Sequence, residues 1–149
     1  HQDQAKLRNI SLNVQLQEDI DIVVDASAFS IILSNFVTNA LKHSPSNSEI
    51  LIKNDLEDDF LTTLSVIDNG KGIPKKYRDR VFERFFRVDK GRAKHSGGTG
   101  LGLAISMHLA RLMGYEVGMK PNKPNGSRFW ISVNYASLEA EKSLTPELA

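Results

Sequence analysis

Asn35, Asn39 and Lys42 stand at i, i+4 and i+7 in a segment of helical periodicity, so they share one face, roughly opposite the apolar stripe of Phe29, Leu33, Val37 and Ala40. An amide oxygen can coordinate Mg²⁺, and an ammonium can meet a phosphate as a point charge. Taken alone, the same trio also describes a solvated helix face. Two glycine motifs move the reading toward a ligand. Asp68-Asn69-Gly70-Lys71-Gly72-Ile73 follows an apolar strand and precedes Pro74. Two glycines one residue apart let the backbone turn sharply and approach a flat ligand, which Asp68 would face as an acceptor, although such a turn is also an ordinary loop. Gly97-Gly98-Thr99-Gly100-Leu101-Gly102-Leu103 runs into a helix, where exposed amides suit a phosphate. Its spacing is not that of a P-loop, and no βαβ unit precedes it as a dinucleotide fold requires. Six of the ten glycines lie in these two motifs, which favours a cradle over scattered turns. Between Arg84 and His95 the cations Arg84, Arg87, Lys90, Arg92 and Lys94 face a single acid, Asp89. A basic loop is commonly just solvated, yet one set before a phosphate turn can close over a triphosphate as a lid. Phe82, Phe85 and Phe86 would anchor its root in the core, or simply pack.

The elements that must position these residues follow from periodicity. Ile10 to Leu16 and Ile20 to Val24 read as two strands, expected to form a hairpin joined near Glu18. Asp25 or Ser27 caps a helix through Phe29, Ile32, Leu33, Phe36, Val37, Ala40 and Leu41, which Pro45 stops. Ile50 to Lys53 and Leu61 to Ile67 form a second hairpin around an acidic turn of Asp55, Glu57, Asp58 and Asp59. Pro74 opens a short helical stretch through Tyr77, Val81 and Phe82, and residues 87 to 98 carry no apolar period, as a mobile loop would. A helix over Leu103, Ala104, Ile105, His108, Leu109, Leu112 and Met113 ends at Gly114, in the position of a left-handed cap. Val117 to Met119 and Phe129 to Val133 make the last hairpin around Pro121 to Gly126, and a loose tail follows Tyr135. Hairpins separated by helices with one apolar stripe each imply an α+β fold, a two-layer sandwich whose mixed, mostly antiparallel sheet carries helices on one face.

Composition bounds the rest. A chain of 149 residues, 40% hydrophobic and 25% charged, is one packed domain rather than a disordered or fibrous chain. Nineteen Lys and Arg against 18 Asp and Glu give no global excess to draw nucleic acid or an anionic membrane. No apolar run approaches a membrane span, and with no cysteine, disulfides and thiolate chemistry are excluded.

In order and spacing, Asn35-Phe-Val-Thr-Asn39-Ala-Leu-Lys42-His43-Ser44, Asp68-Asn-Gly70-Lys-Gly72-Ile73, Phe82-Glu-Arg-Phe85-Phe-Arg87 and Gly98-Thr99-Gly100-Leu101-Gly102-Leu103 resemble the N box, first glycine box, F box and second glycine box of sensor histidine kinases. The resemblance spans about Ile10 to Tyr135 and implies the Bergerat ATP-binding fold of gyrase-type, Hsp90-type and mismatch-repair ATPases. It implies that Asn39 ligates Mg²⁺, Asn35 assists at the metal and phosphates, and Lys42 contacts phosphate. It further implies that Asp68 accepts from the adenine amino group, that Gly70, Gly72 and Ile73 shape the pocket, that the amides of Gly100 to Leu103 hold phosphates, and that Arg87 belongs to the lid. His43 departs from the pattern, since an aromatic, often Tyr, commonly follows the Lys; it can still stack or hydrogen-bond. Ser127, after Gly126, stands where relatives carry a small hydroxyl residue and is read as structural.

The implied domain plan is a linker over residues 1 to 9, a catalytic domain over 10 to 135 and a tail over 136 to 149. Hydrolytic relatives of the fold place a Glu four residues before the metal Asn, where this chain has Asn35, which cannot act as a base. The resemblance therefore implies transfer of the ATP γ-phosphoryl group to a protein histidine, with ATP and Mg²⁺ as cofactors. None of His1, His43, His95 and His108 sits in a segment like the phosphoacceptor box, so the acceptor is expected on a separate helical dimerisation domain, and a response-regulator receiver domain is reached through the full kinase. Expected besides are a cytoplasmic location, a parent compatible with membrane anchoring, and contact by this domain with neither nucleic acid nor membrane. A nucleotide-binding module without kinase activity and a serine kinase of the same fold stand as the alternatives.

Overall fold

The structure, a computed structural model, describes residues 2–17, 20–88 and 100–137. Along the chain run α1 (Gln2–Leu7), β1 (Ser11–Gln15), β2 (Ile20–Ile22), α2 (Ala26–His43), β3 (Glu49–Leu56), β4 (Leu61–Ile67), a 3-10 turn (Lys75–Tyr77), α3 (Gly102–Leu112), β5 (Glu116–Pro121) and β6 (Ser127–Ser137). The strands form one sheet in the order β1-β3-β4-β6-β2, with β5 also paired to β6.

Alternation along the strands sorts the side chains by face. Ile50, Val66, Phe129, Ile131 and Val133 point inward and are buried, while Lys53, Ser65, Arg128 and Trp130, paired in register beside them, lie on the opposite face. Helices α2 and α3 cover the inward face. On α2 the stripe Ile32, Phe36, Val37, Ala40 and Leu41 is buried, and Phe36 meets Phe129 of β6 with ring centroids 5.8 Å apart. Asp25 caps α2 by accepting from the Ala28 N–H at 2.8 Å, and Ser44 closes it one residue before Pro45. Gly114 takes φ 80 after α3, the left-handed conformation that a helix-ending glycine supplies.

The expected opening hairpin does not form. β1 runs parallel to β3, Ser11 opposite Glu49, while β2 lies at the far edge against Tyr135 to Ser137 of β6. Alternation reveals strands but not their partners, and a β1–β2 pair would leave the outer edge of β3 unpaired. The expected joint at Glu18 lies outside the described residues. Asp55 sits in β3 instead of a solvated turn, held at 2.6 Å by Arg128. Beyond Pro74 only Lys75–Tyr77 winds into a helical turn, Val81 and Phe82 being held in turns that still face inward. β6 continues to Ser137, past the expected start of the tail, because β2 pairs with its end; residues 138–149 are outside the description. At the other end, residues 2–9 form more than a spacer: Ala5 of α1 is 3% exposed and belongs to the core. Among the described residues, no helix is long and apolar enough to cross a membrane.

Candidate functional site

Asp68 emerges one residue past β4, and it is buried. Its Oδ1 accepts from the Gly70 N–H at 2.9 Å and the Ser127 N–H at 3.3 Å, while its own N–H donates to the Ser127 carbonyl at 2.9 Å. Burial pushes the carboxyl above its ordinary 3.8, against the opposing pull of those two N–H groups. The turn 121–126 walls this end. Asn122 Nδ2 donates to the Asp68 carbonyl at 3.0 Å, and a Cβ on Gly126 (φ 115) would fall 1.9 Å from the same oxygen. Gly72, at φ 73, packs on the Gly126 carbonyl, and Ile73 leans on the core. A Cβ on Gly70 would come within 2.2 Å of the His43 carbonyl oxygen, so only glycine lets this loop touch the last turn of α2. Residue type and spacing describe Ser127 as structural and 121–126 as a hairpin turn. The Gly126-Ser127 pair was the available signal, but the Ser127 contribution is a backbone N–H, which residue type does not disclose.

At the other end, Asn35 Nδ2 donates to the Gly102 carbonyl at 2.9 Å and to Ser106 Oγ at 3.0 Å. The residue thus ties the middle of α2 to the first turn of α3. Asn39 and Lys42 are half-buried on the same helix, and His43 is exposed. The Lys42 ammonium is held below its ordinary 10.5 first by burial and then by the charge of Arg87. Arg87 has Nη2 buried and without a hydrogen-bond partner among the described residues, whose ion pairs involve neither Lys42 nor Arg87. Like charges repel, and a polyanion between Lys42 and Arg87 would reverse the sign.

Gly100, at φ 73, accepts from the Phe85 N–H at 2.8 Å, closing the base of the segment between them. Leu101 then leads into α3, which Gly102 opens and whose Leu103 packs on the core. The expected phosphate contacts Gly98 and Thr99 lie outside the described residues, as does the lid from 89 onward. Of the three phenylalanines expected as anchors, Phe82 meets Phe129 at 6.0 Å and Phe86 meets Tyr77 at 5.6 Å, but Phe85 is 64% exposed at φ 65. Its backbone N–H donates to the Gly100 carbonyl while its ring faces outward. A surface groove of about 570 Å³ between Asp79–Arg84 and the outer side of α3 holds none of the expected nucleotide residues.

Helix α2 therefore bridges the two glycine motifs, meeting Gly102 through Asn35 and Gly70 through His43. Those positions are about 12 Å apart along the helix axis. The result is an elongated site with an acceptor at one end, cations at the other and glycine backbone beside both, the form an extended nucleotide requires. Residues 24–137 match the family of histidine kinase-, DNA gyrase B-, and HSP90-like ATPases. The chain belongs to this family. It is 36% identical over 118 residues to the sensor histidine kinase WalK of Bacillus subtilis, covering 78% of this chain and 19% of WalK. It is 39% identical over 111 residues to the sensor protein IrlS of Burkholderia pseudomallei, covering 74% and 24%. The chain thus spans about a fifth to a quarter of these relatives. Among solved structures, the mycobacterial sensor histidine kinase MprB superposes with TM-score 0.78 at 26% identity over 92% of this chain and 90% of that one. Full-length ShkA in complex with AMPPNP superposes with TM-score 0.77 at 29% identity, over 91% and 27%. The domain is an ATP-binding one by family.

Proposed function

We propose that this domain binds Mg²⁺-ATP and presents its γ-phosphoryl group to a histidine carried by a separate helical domain of the same kinase. The observation that supports it most is the repulsion between Lys42 and Arg87, whose Nη2 is buried and without a hydrogen-bond partner among the described residues, a local excess of positive charge that a triphosphate would neutralise. At the other end, Asp68 is held by two bonds to Oδ1, and its carboxylate accepts the adenine amino group. In this reading the Gly70–Gly72 loop would lie against the base with Ile73 and His43 bordering it, Gly98, Thr99 and the amides of Gly100 to Leu103 would contact the phosphates, and Arg87 would belong to the lid. Asn39 holds the metal. Mg²⁺ takes few protein ligands and completes its shell with water and substrate phosphates, so the amide oxygen of the half-buried Asn39 would suffice as the ligand from this chain. When bound, Mg²⁺ supplies charge neutralisation at the phosphates.

Transfer to a protein nucleophile is favoured over hydrolysis because Asn35 is an amide, with its Nδ2 committed to Gly102 and Ser106, and carries no base to activate water. The domain therefore works by positioning, and its reaction partner comes from outside. A receiver domain would then take the phosphoryl group from the full kinase. The catalytic unit in this plan is the one expected over residues 10–135, extended to Ser137 by β6, on the cytoplasmic side of a membrane-anchored parent.

Radiolabelled Mg²⁺-ATP, with the parent's helical domain added in trans, is the test. Acid-labile label should appear on that domain, and Asn39→Ala should abolish it. Acid-stable label on this chain alone would replace the reading with that of a serine kinase.

A further inference from the structure

Arg8 lies outside every motif, in the segment that precedes β1, and its guanidinium is spent on a single task. Nη1 donates to the Leu41 carbonyl and Nη2 to the Ser44 carbonyl, two of the acceptors that the last turn of α2 leaves without intrahelical partners. A cation at a helix C-terminus also meets the negative end of the helix dipole. The backbone around Arg8 is stitched to the same place: its carbonyl accepts from the Asn47 N–H at 3.2 Å, Asn9 Nδ2 donates to Asn47 Oδ1 at 2.7 Å, and the Ser11 N–H donates to the Ser48 carbonyl at 3.0 Å. On its other side Arg8 continues from α1, whose Ala5 is in the core and whose Leu7 is 88% exposed.

The turn so clamped bears Lys42 and, through the His43 carbonyl, abuts Gly70. Asp68 is fixed by the Gly70 and Ser127 N–H groups; Gly70 touches the clamped turn only through the His43 carbonyl, whereas Lys42 is carried by that turn itself. We infer that Arg8 is a positioning residue for the phosphate end of the nucleotide site: by bridging Leu41 and Ser44 it holds the last turn of α2, and hence Lys42, in place, so that docking of α1 and grip on the phosphates are coupled. This inference rests on the function proposed above. A planar fork that reaches two carbonyls at once is what the geometry uses, and lysine, a point donor, satisfies one at a time.

The experiment compares Mg²⁺-ATP, titrated by calorimetry, with adenosine, titrated by NMR, on Arg8→Ala, Arg8→Lys, Ala5→Asp and Lys42→Ala, with melting curves for each. Arg8→Ala should weaken ATP by about fivefold or more, the lower end of ordinary coupling between sites, and leave adenosine within about twofold. Arg8→Lys should fall between wild type and Arg8→Ala. Ala5→Asp, which undocks α1, should reproduce the Arg8→Ala ratio, and it carries the test should Arg8→Ala not fold. A lowered melting temperature with an unchanged ATP-to-adenosine ratio in all three variants overturns the inference, since a purely structural role moves only the first. If Lys42→Ala itself leaves that ratio unchanged, the phosphate reading of the site fails, and the inference with it.

Discussion

The two ends of the site are built on different principles. Among the described residues the Asp68 carboxylate is held by backbone: two N–H groups on one oxygen, with glycines at 70 and 126 whose missing Cβ atoms leave no slack. At Lys42 and Arg87 the neighbours are side chains of one sign, one of them buried without a partner among the described residues. The first end is held by its own backbone bonds, and in the proposed function it would select by shape and a fixed acceptor. The second is left electrostatically unfavourable, so a polyanion gains there what the empty domain loses.

Substitutions should separate these principles. The largest effect belongs to Gly70→Ala, whose methyl group would be driven into the His43 carbonyl, a backbone atom that cannot swing aside. It should cost about 3 kcal/mol of stability, the upper end of overpacking, with ATP binding lost alongside; a calorimetric melt close to wild type would show that the rigid end is softer than its contacts imply.

Next comes Asp68. Asp68→Ala should weaken ATP by about 1.5 to 3 kcal/mol, the range for a hydrogen bond to a charged group, and GTP should bind worse than ATP to the wild type because guanine turns a carbonyl oxygen toward the carboxylate. The raised carboxyl has a further signature. The folded state keeps this proton at pH values where the unfolded chain, near 3.8, has released it, so stability is full below that pH and declines as pH rises through the folded value. Asp68→Asn removes the decline. Denaturant titrations from pH 3 to 8 should therefore find the variant gaining on wild type as pH rises; parallel curves would show that burial at this position costs the ionised carboxyl nothing.

At the other end the sign of the effect should invert between empty and loaded domain. Lys42→Met removes a half-buried ammonium repelled by Arg87, so the empty domain should melt higher while ATP binds more weakly. A variant that melts lower in the absence of nucleotide would erase the contrast between the two ends. The smallest effect falls between them, at Phe85→Asn. An exposed phenylalanine held at φ 65 gives up little packing, and asparagine tolerates that conformation, so a gain of about 0.5 to 1 kcal/mol is expected from chemical denaturation.

What the sequence disclosed and what it withheld divide along the same physical lines. The helices α2 and α3, the β3–β4 and β5–β6 hairpins and the glycine loops were legible, because periodicity, capping residues and glycine pairs are local signals. Asp68 was legible too, standing at the end of an apolar strand. The partner of β1 was not, since its pairing with β3 crosses the whole of α2. Nor was the tie from Asn35 to Gly102 and Ser106, nor the wall that Ser127 builds with a backbone N–H, nor the clamp of Arg8, each of which joins residues far apart in the chain. The outward ring of Phe85 was hidden for a related reason: it goes with a left-handed backbone at φ 65 and a bond to Gly100, fifteen residues on, which the apolar character of the side chain does not disclose.

The position of β6 has a consequence for synthesis. It borders β4, β5 and β2 at once, and it is the last strand of the described chain. As the polypeptide leaves the ribosome, β1 can find β3 after some fifty residues, but β2, made almost as early, has no neighbour until Tyr135 to Ser137 emerge. Pairings this far apart close slowly, because the chain between them must be ordered first. A nascent domain thus holds Phe36 of α2 without its ring partner Phe129, and with it the nucleotide site's supporting helix, until translation is nearly past the domain's end. Until then the half-made sheet has an open edge and an uncovered apolar face, the interval in which a holding chaperone would have most to protect.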